Sequence, residues 1–334
     1  MNILCKVLRG LRFWNPKPVD SAREKYWTSF EAVYPGVKRE DPHTWNLFLK
    51  DPRGFLLDGR ITHSEAAWGI RTNPAVKKVF AQIWETEDLL VSIDATIAWR
   101  PWWLQEQLTD NWLYPLTEWL PETEGLHIDQ NPFSKPDFEC VQGMVPLSSV
   151  NECTGGLEVV PGSHSPDSAV KKEIMTLCKH WSGDWCVLHP HIDTSTYAGD
   201  SSVAGRRLVL AEPGDLILWD SRTVHGGVVG TGRPSAEVHG GGRVDLARLS
   251  LTVCMTPACK AEPSVLGTRR RGFERGSTFT HWPHEARVAR SGRGNVTLPE
   301  LTPQQLSLVA SGGPPEEAVR QAVAGLGAGG NPGH

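Results

Sequence analysis

His127 and Asp129 stand two residues apart in GLHIDQNP (125–132). In an extended backbone, alternate side chains share a face, so this imidazole and carboxylate aim at one point. Such a pair either hydrogen-bonds as ordinary polar neighbours or grips something together. A second pair with the same spacing, His191 and Asp193, occurs in HPHIDTS. Further on, GDLILWDSRTVHGG (214–227) sends a Gly-Asp turn into an apolar strand that exits into His225. Two imidazoles and one carboxylate delivered from different strands form the facial triad that suits non-haem Fe(II), with the remaining coordination positions open. Asp129 and His225 are 96 positions apart, room for several strands, whereas Asp193 and His225 are only 32 apart. A rival set of His191, Asp193 and His239 places its last histidine in the glycine-rich EVHGGGR, with no strand leading into it. A metal ligand needs rigid support, which favours His127, Asp129 and His225.

A cation follows. In ARLSLTVCM (247–255), Arg248, Ser250, Thr252 and Cys254 alternate with Leu249, Leu251, Val253 and Met255, so Arg248 and Ser250 share a face. A guanidinium inside a barrel needs an anion. Its planar fork suits a carboxylate, either a structural Asp or Glu or, behind a metal triad, that of a co-substrate. Asn131 and Trp219 are candidate substrate contacts. Trp102 and Trp103 read as packed core or interface rather than pocket wall, and His164 and His189 as structural or exposed. Asp220 and Arg222 would either orient His225 or pair with each other. Cys254 reads as a buried thiol.

The elements that must position these groups are mostly strands. LLVSIDATIAW (89–99) alternates Val91, Ile93, Ala95, Ile97 and Trp99 with Ser92, Asp94 and Thr96, the pattern of one half-buried strand. FECVQGMVPL, GLEVVP, RLVLAE, DLILWD and ARLSLTVCM follow, separated by Gly, Pro, Asn and Asp turns, with one helix at about 166–180. Short strands at this spacing predict a sandwich or barrel of the jelly-roll kind. The first third reads helical. Asn73 caps, Pro74 takes the first helical position, and Val76, Val79, Phe80, Ile83 and Trp84 form one stripe. The opening MNILCKVLRGLRFW reads as an amphipathic first helix, with a transit peptide as the alternative. Thr302, Pro303 and Gln305 mark a short capped helix, and the end, AGLGAGGNPGH, reads as disordered.

The whole pattern HID (127–129), TGGLEVVPGSH (154–164), GDLILWDSRTVH (214–225) and RLS (248–250) resembles the phytanoyl-CoA dioxygenase family of Fe(II)/2-oxoglutarate oxygenases over roughly residues 85–258. The resemblance implies a mainly β fold with flanking helices, a double-stranded β-helix (cupin-like jelly roll). It implies His127, Asp129 and His225 as iron ligands, and Arg248 with Ser250 beside the far carboxylate of 2-oxoglutarate. Gln142 and Met144 fall on the strand that lines the co-substrate pocket in relatives. The implied cofactor set is Fe(II), 2-oxoglutarate and O2, and the implied reaction is hydroxylation of a small-molecule or acyl substrate, with succinate as by-product. An acidic ligand at 129 disfavours a halogenase. In the family, PGSH follows the metal-binding HxD, which selects the first pair here. One departure is the glycine-rich insertion GVVGTGRPSAEVHGGG, which sets Arg248 23 positions after His225 and leaves Arg243 as the alternative anchor. Loop-closure entropy grows slowly enough with length to tolerate it. The reading from another class is a non-catalytic or differently metallated cupin-like binding protein.

The chain is 334 residues long, enough for a large core. It divides by pattern into an N-terminal helical region (1–84), the β core (85–258) and a C-terminal extension (259–334). A net charge of −4 argues against a broad nucleic-acid surface, and the basic run TRRRGFER (268–275) reads as solvated. No apolar run approaches the ~18 residues of a membrane span. Seven cysteines, an odd number without a CxxC pair, point to free thiols in a reducing, intracellular setting, the cytoplasm.

Overall fold

The computed structural model describes residues 6–8, 16–104, 119–188, 205–232, 244–292 and 296–310. Two antiparallel sheets pack face to face. The larger has the order β1 (Lys6–Leu8), β10 (Leu216–Asp220), β6 (Val141–Pro146), β12 (Arg248–Thr252), β4 (Thr96–Trp99) and β2 (Phe55–Leu56). The smaller has the order β8 (Cys186–Val187), β5 (His127–Ile128), β11 (His225–Val229), β7 (Gly155–Val159) and β9 (Arg207–Leu208). Among the described residues, two further ribbons form: β3 (Leu89–Val91) with β13 (Met255–Pro257), and β14 (Thr278–Phe279) with β15 (Val288–Arg290). This is the jelly roll that the strand pattern predicts.

Alternation along the strands of the larger sheet builds two layers of core. Ile97, Trp99, Met144, Ile217 and Trp219 from the larger sheet meet Leu157 and Val159 from the smaller one. The opposite face of the larger sheet, with Leu216, Leu218, Leu249 and Leu251, packs under the helices. These are α1 (Pro16–Val33), α2 (Gly59–Thr62), α3 (Glu65–Arg71) and α4 (Pro74–Trp84) on the N-terminal side. The cap at Asn73 forms as its sequence indicates, with its side chain accepting from the Ala75 N–H at 2.9 Å. The helix predicted near 166–180 is α5 (Ala169–Leu177).

Four expectations need correction. Lys6–Leu8 is a strand, not part of an amphipathic helix, because it pairs antiparallel with β10 at the edge of the larger sheet. The segment 89–99 is two strands, not one. The break falls where the neighbouring strand also breaks: Ser92 N–H donates to Cys254 O and Cys254 N–H donates to Ser92 Oγ, and the register slips by one residue between the β3–β13 and β4–β12 pairings. Both faces are also covered, with Ser92 and Thr96 fully buried beside Val91 and Ile97. Third, the strand before His225 stops at Asp220, where the Asp220 side chain accepts from Arg222 N–H at 2.9 Å. A tight turn follows, and His225 opens β11. Fourth, TRRRGFER is not plain solvated surface. It lies in α6 (Pro263–Glu274), and Arg269 is completely buried, donating to the carbonyls of Val91, Pro283, Leu308 and Val309.

That arginine binds the C-terminal segment to the core, and Phe273, Phe279, Leu308 and Val309 join the main hydrophobic cluster. The short α7 (Pro303–Ser307) carries the predicted Thr302/Gln305 capping box. His189, His191, Asp193, His239, Arg243 and the glycine-rich end lie outside the described residues. Among the described residues no helix is long and apolar enough to cross a membrane.

Candidate active site

His127 sits on β5 and His225 on the adjacent β11, and the two are register partners across that pair. Asp129 follows β5 by one residue and shares the inward face with His127. The three ligand atoms lie within 4.8 Å of one another, and all three residues are buried. Asp129 Oδ2 is 3.2 Å from His225 Nε2 and 3.9 Å from His127 Nε2. A divalent metal with ligand bonds of ~2.1 Å holds cis donors ~3 Å apart, so a small contraction would suffice.

The hydrogen bonds assign the tautomers. His127 Nδ1 is 2.9 Å from Gly125 O, and His225 Nδ1 is 2.9 Å from Thr223 O. A neutral imidazole has one N–H, and each ring donates it to a carbonyl. Both Nε2 lone pairs then point at the carboxylate. Burial, together with the neighbouring His225, depresses the His127 imidazole to about 4, so it is neutral at pH 7. Burial opposes ionisation of Asp129, yet the positive charge that His281, His127 and His225 carry when protonated holds its carboxyl well below the usual carboxylate range. Two lone pairs and an anion converging on one point call for a cation.

The supports of the triad are local. Gln142, on β6, donates through Nε2 to Asp129 Oδ2 at 2.9 Å. The PGSH turn braces His225, with Ser163 Oγ accepting from Val224 N–H at 2.8 Å. Gly226 keeps β11 close to β5, because a Cβ there would run into the carbonyl of Gly125.

The triad opens onto a cavity of about 240 Å³. Gln142, Met144, Trp219 and Arg248 of the larger sheet line its other wall. Arg248 is 5% exposed, lies 4.5 Å over the Trp99 ring, and has Met144 Sδ at 3.4 Å from Nη2. Among the described residues it has no carboxylate partner, and its Nε and the neighbouring Ser250 Oγ are buried without a hydrogen bond. Burial lowers the Arg248 pKa to about 10, so the cation persists at neutral pH. The donor set and these orphaned atoms fit a ferrous ion with a dicarboxylate co-substrate.

Other sequence candidates are placed differently. Asn131 is not on the cavity wall. Its Nδ2 donates to Trp181 O and Gly183 O, both at 2.9 Å, and its Oδ1 accepts from the N–H groups of Phe133 and Ser134. With its amide consumed, it braces the loop rather than meeting substrate. Asp220 and Arg222 pair with each other, at 2.7 Å. Trp102 and Trp103 stack edge-on at 4.8 Å against the inter-sheet core, and Cys254 is a buried thiol.

Wall residues that escaped sequence reasoning include Asp94, Thr280 and His281. Asp94 was read as the polar face of a strand, yet it lines the cavity. Thr280 and His281 come from the turn after β14, and their Oγ1 and Nε2 atoms are buried without partners. The turn carried no recognisable spacing to the triad, and only the docking of the C-terminal segment brings it there.

A jelly roll enclosing such a site is the architecture of an iron- and 2-oxoglutarate-dependent oxidoreductase. The profile of the phytanoyl-CoA dioxygenase family matches residues 36–229, more than half of the chain, and the chain belongs to that family. It is thus an oxygenase whose cofactor set is Fe(II), 2-oxoglutarate and O2. The matched stretch begins earlier than the motif pattern, inside the helical region, and stops at Val229, short of Arg248. "Ava biosynthesis cluster protein O" of Aspergillus versicolor is 29% identical over 265 residues, 75% of this chain and 73% of that protein. The solved epimerase SnoN, in complex with Fe3+, alpha-ketoglutarate and nogalamycin RO, aligns over 74% of this chain and 77% of its own, at 15% identity and a TM-score of 0.42. GlcNAc-inducible gene 2 protein of Candida albicans aligns over 98% of this chain and 80% of its own, at 12% identity and a TM-score of 0.53, a likeness of fold.

Proposed function

We propose that the chain hydroxylates a C–H bond of a small molecule, with His127, Asp129 and His225 holding Fe(II) and with Arg248 and Ser250 holding the distal carboxylate of 2-oxoglutarate. The observation that carries this reading is Arg248, a buried cation on the wall of the cavity onto which the triad opens, with no acid partner among the described residues. A cupin that only bound metal would have no use for that desolvated charge. When bound, Fe(II) and 2-oxoglutarate supply, with O2, the oxidising power for C–H hydroxylation, with succinate and CO2 released.

The chain's own residues bind, orient and exclude water. Gly125 O and Thr223 O fix the imidazole tautomers, and Gln142 fixes the rotation of the Asp129 carboxylate. Ile97, Leu157 and Trp219 supply apolar walls that keep water from the reacting carbon. Thr280 Oγ1 and His281 Nε2 offer hydrogen bonds to oxygen atoms of the substrate. An oxygenated, largely apolar molecule matches that lining, and kinship to a biosynthesis-cluster protein supports a specialised metabolite.

The test is succinate formation from 2-oxoglutarate by the purified protein with Fe(II) in air, against a broad panel of candidate substrates. Turnover above the iron-only background, lost in Arg248→Ala, is expected. Absence of turnover across the panel, with tight Zn(II) binding instead, would favour the metal-binding cupin.

A further inference from the structure

Away from the iron cavity, two thiols face each other. Cys178 caps the end of α5 and Cys186 opens β8, and their Sγ atoms are 2.6 Å apart. Both side chains are buried. That separation is closer than unbonded sulfur atoms pack, and little movement separates it from the ~2.05 Å of a disulfide. The surroundings make the pair more than a packing accident. β8 is the strand paired with β5, with Cys186 opposite Ile128 and Val187 opposite His127. The loop between the cysteines exposes Trp181 and Trp185, and the Trp185 ring lies 6.4 Å from that of His127. The same loop carries Asp184, which accepts from Asn131 N–H and from Lys135 Nζ of the segment that follows Asp129.

We propose that Cys178 and Cys186 are an oxidative modification site, a dithiol that hydrogen peroxide converts to an intramolecular disulfide. One sulfur attacks the peroxide oxygen and becomes a sulfenic acid, with release of the first water. The other sulfur then displaces that oxygen as a second water and closes the S–S bond. Two thiols and one peroxide thus give one disulfide and two waters. Burial and the neighbouring thiol push Cys178 up to about 12, so thiolate is scarce at neutral pH and the reaction is faster in mildly alkaline buffer. The bond ties α5 to the strand beside His127 and restrains the loop that braces the metal-binding segment.

The full chain, reduced and freed of reductant, is treated with hydrogen peroxide, alkylated after denaturation, and digested with trypsin without reduction. Cleavage after Lys179 separates the two cysteines, so only a disulfide keeps residues 173–179 joined to residues 180–206. The joined pair, lighter by two hydrogens than the sum of its peptides, is expected, and Cys178→Ser should remove it and leave Cys186 alkylated. Exposed Cys259 reports that the oxidant has acted. If Cys259 is oxidised while Cys178 and Cys186 both remain alkylated, or if either bonds to a different cysteine, the proposal is overturned.

Discussion

His225 and His127 face each other across β11 and β5, with ring centroids 4.5 Å apart and Asp129 Oδ2 within 3.9 Å of both Nε2 atoms. The neighbouring backbones therefore set the spacing of the two imidazoles, while the carboxylate is delivered by the chain leaving β5. Replacing the carboxylate removes the negative charge that the two imidazoles need beside them in order to retain a cation.

Asp129→Ala is accordingly expected to abolish stoichiometric Fe(II) binding, whereas Asp193→Ala should leave it largely intact. Anaerobic iron titration with a colorimetric chelator reads both. Iron retained by the first variant and lost from the second would move the centre to the other His–Asp pair.

Gln142 holds Asp129 Oδ2 at 2.9 Å from behind. Gln142→Leu keeps the volume and removes the donor. Loss of such a support weakens metal binding by about 10–100-fold. The same titration should show that loss with the fold intact by circular dichroism. An unchanged affinity would show that Asp129 is oriented without it.

The convergence of His127, Asp129, His225 and Arg248 on one cavity was legible because these residues lie in or beside strands whose own patterns are strong: HID before a turn, DLILWD before His225, and RLS on an alternating strand. What escaped depends on tertiary placement. Lys6–Leu8 is too short to declare a period, and only the β10 edge makes it a strand. The break at 92–95 falls where the register between two neighbouring strands slips by one residue, which no single-strand pattern encodes. Arg269 looked like surface charge, since nothing in its vicinity announces four backbone carbonyls from distant segments. Asn131 was drawn to the metal by proximity in sequence, but its amide turns into the 181–184 loop.

Burial gives the fold an acid sensitivity. His63 is fully buried, and burial chiefly, with the charge of Arg71, lowers it to about 4 against the hydrogen bond with Ser277 O. The unfolded chain takes up this proton below about pH 6.5, and the folded one refuses it until about 4. The stabilisation is complete above 6.5 and is lost as pH falls, at about 1.36 kcal/mol per pH unit. His127, also lowered to about 4, adds the same sign in metal-free protein. Between pH 6.5 and 5, His63→Gln should reduce the loss of unfolding free energy by up to about 2 kcal/mol, read from urea midpoints with chelator present. An identical pH slope in the variant would contradict this.

Arg248 offers the sharpest separation of binding from folding. Its charge is desolvated over the Trp99 ring and against Met144 Sδ, with no acid partner among the described residues. An unpaired buried charge opposes folding, so an apolar side chain of similar length should relieve that cost. Arg248→Met is therefore expected to raise the melting temperature of the metal-free protein, at about 2–4 °C per kcal/mol for a domain of this order of size. On the proposed function, the same change removes the partner of the distal carboxylate. Loss of one member of a buried charge pair costs about 2–5 kcal/mol, or roughly 30- to 5000-fold in 2-oxoglutarate affinity. Calorimetric melting and anaerobic titration of the Fe(II) protein with 2-oxoglutarate measure the two effects independently. A variant that melts lower and still binds 2-oxoglutarate as tightly would mean that Arg248 serves the fold, with another cation anchoring the co-substrate.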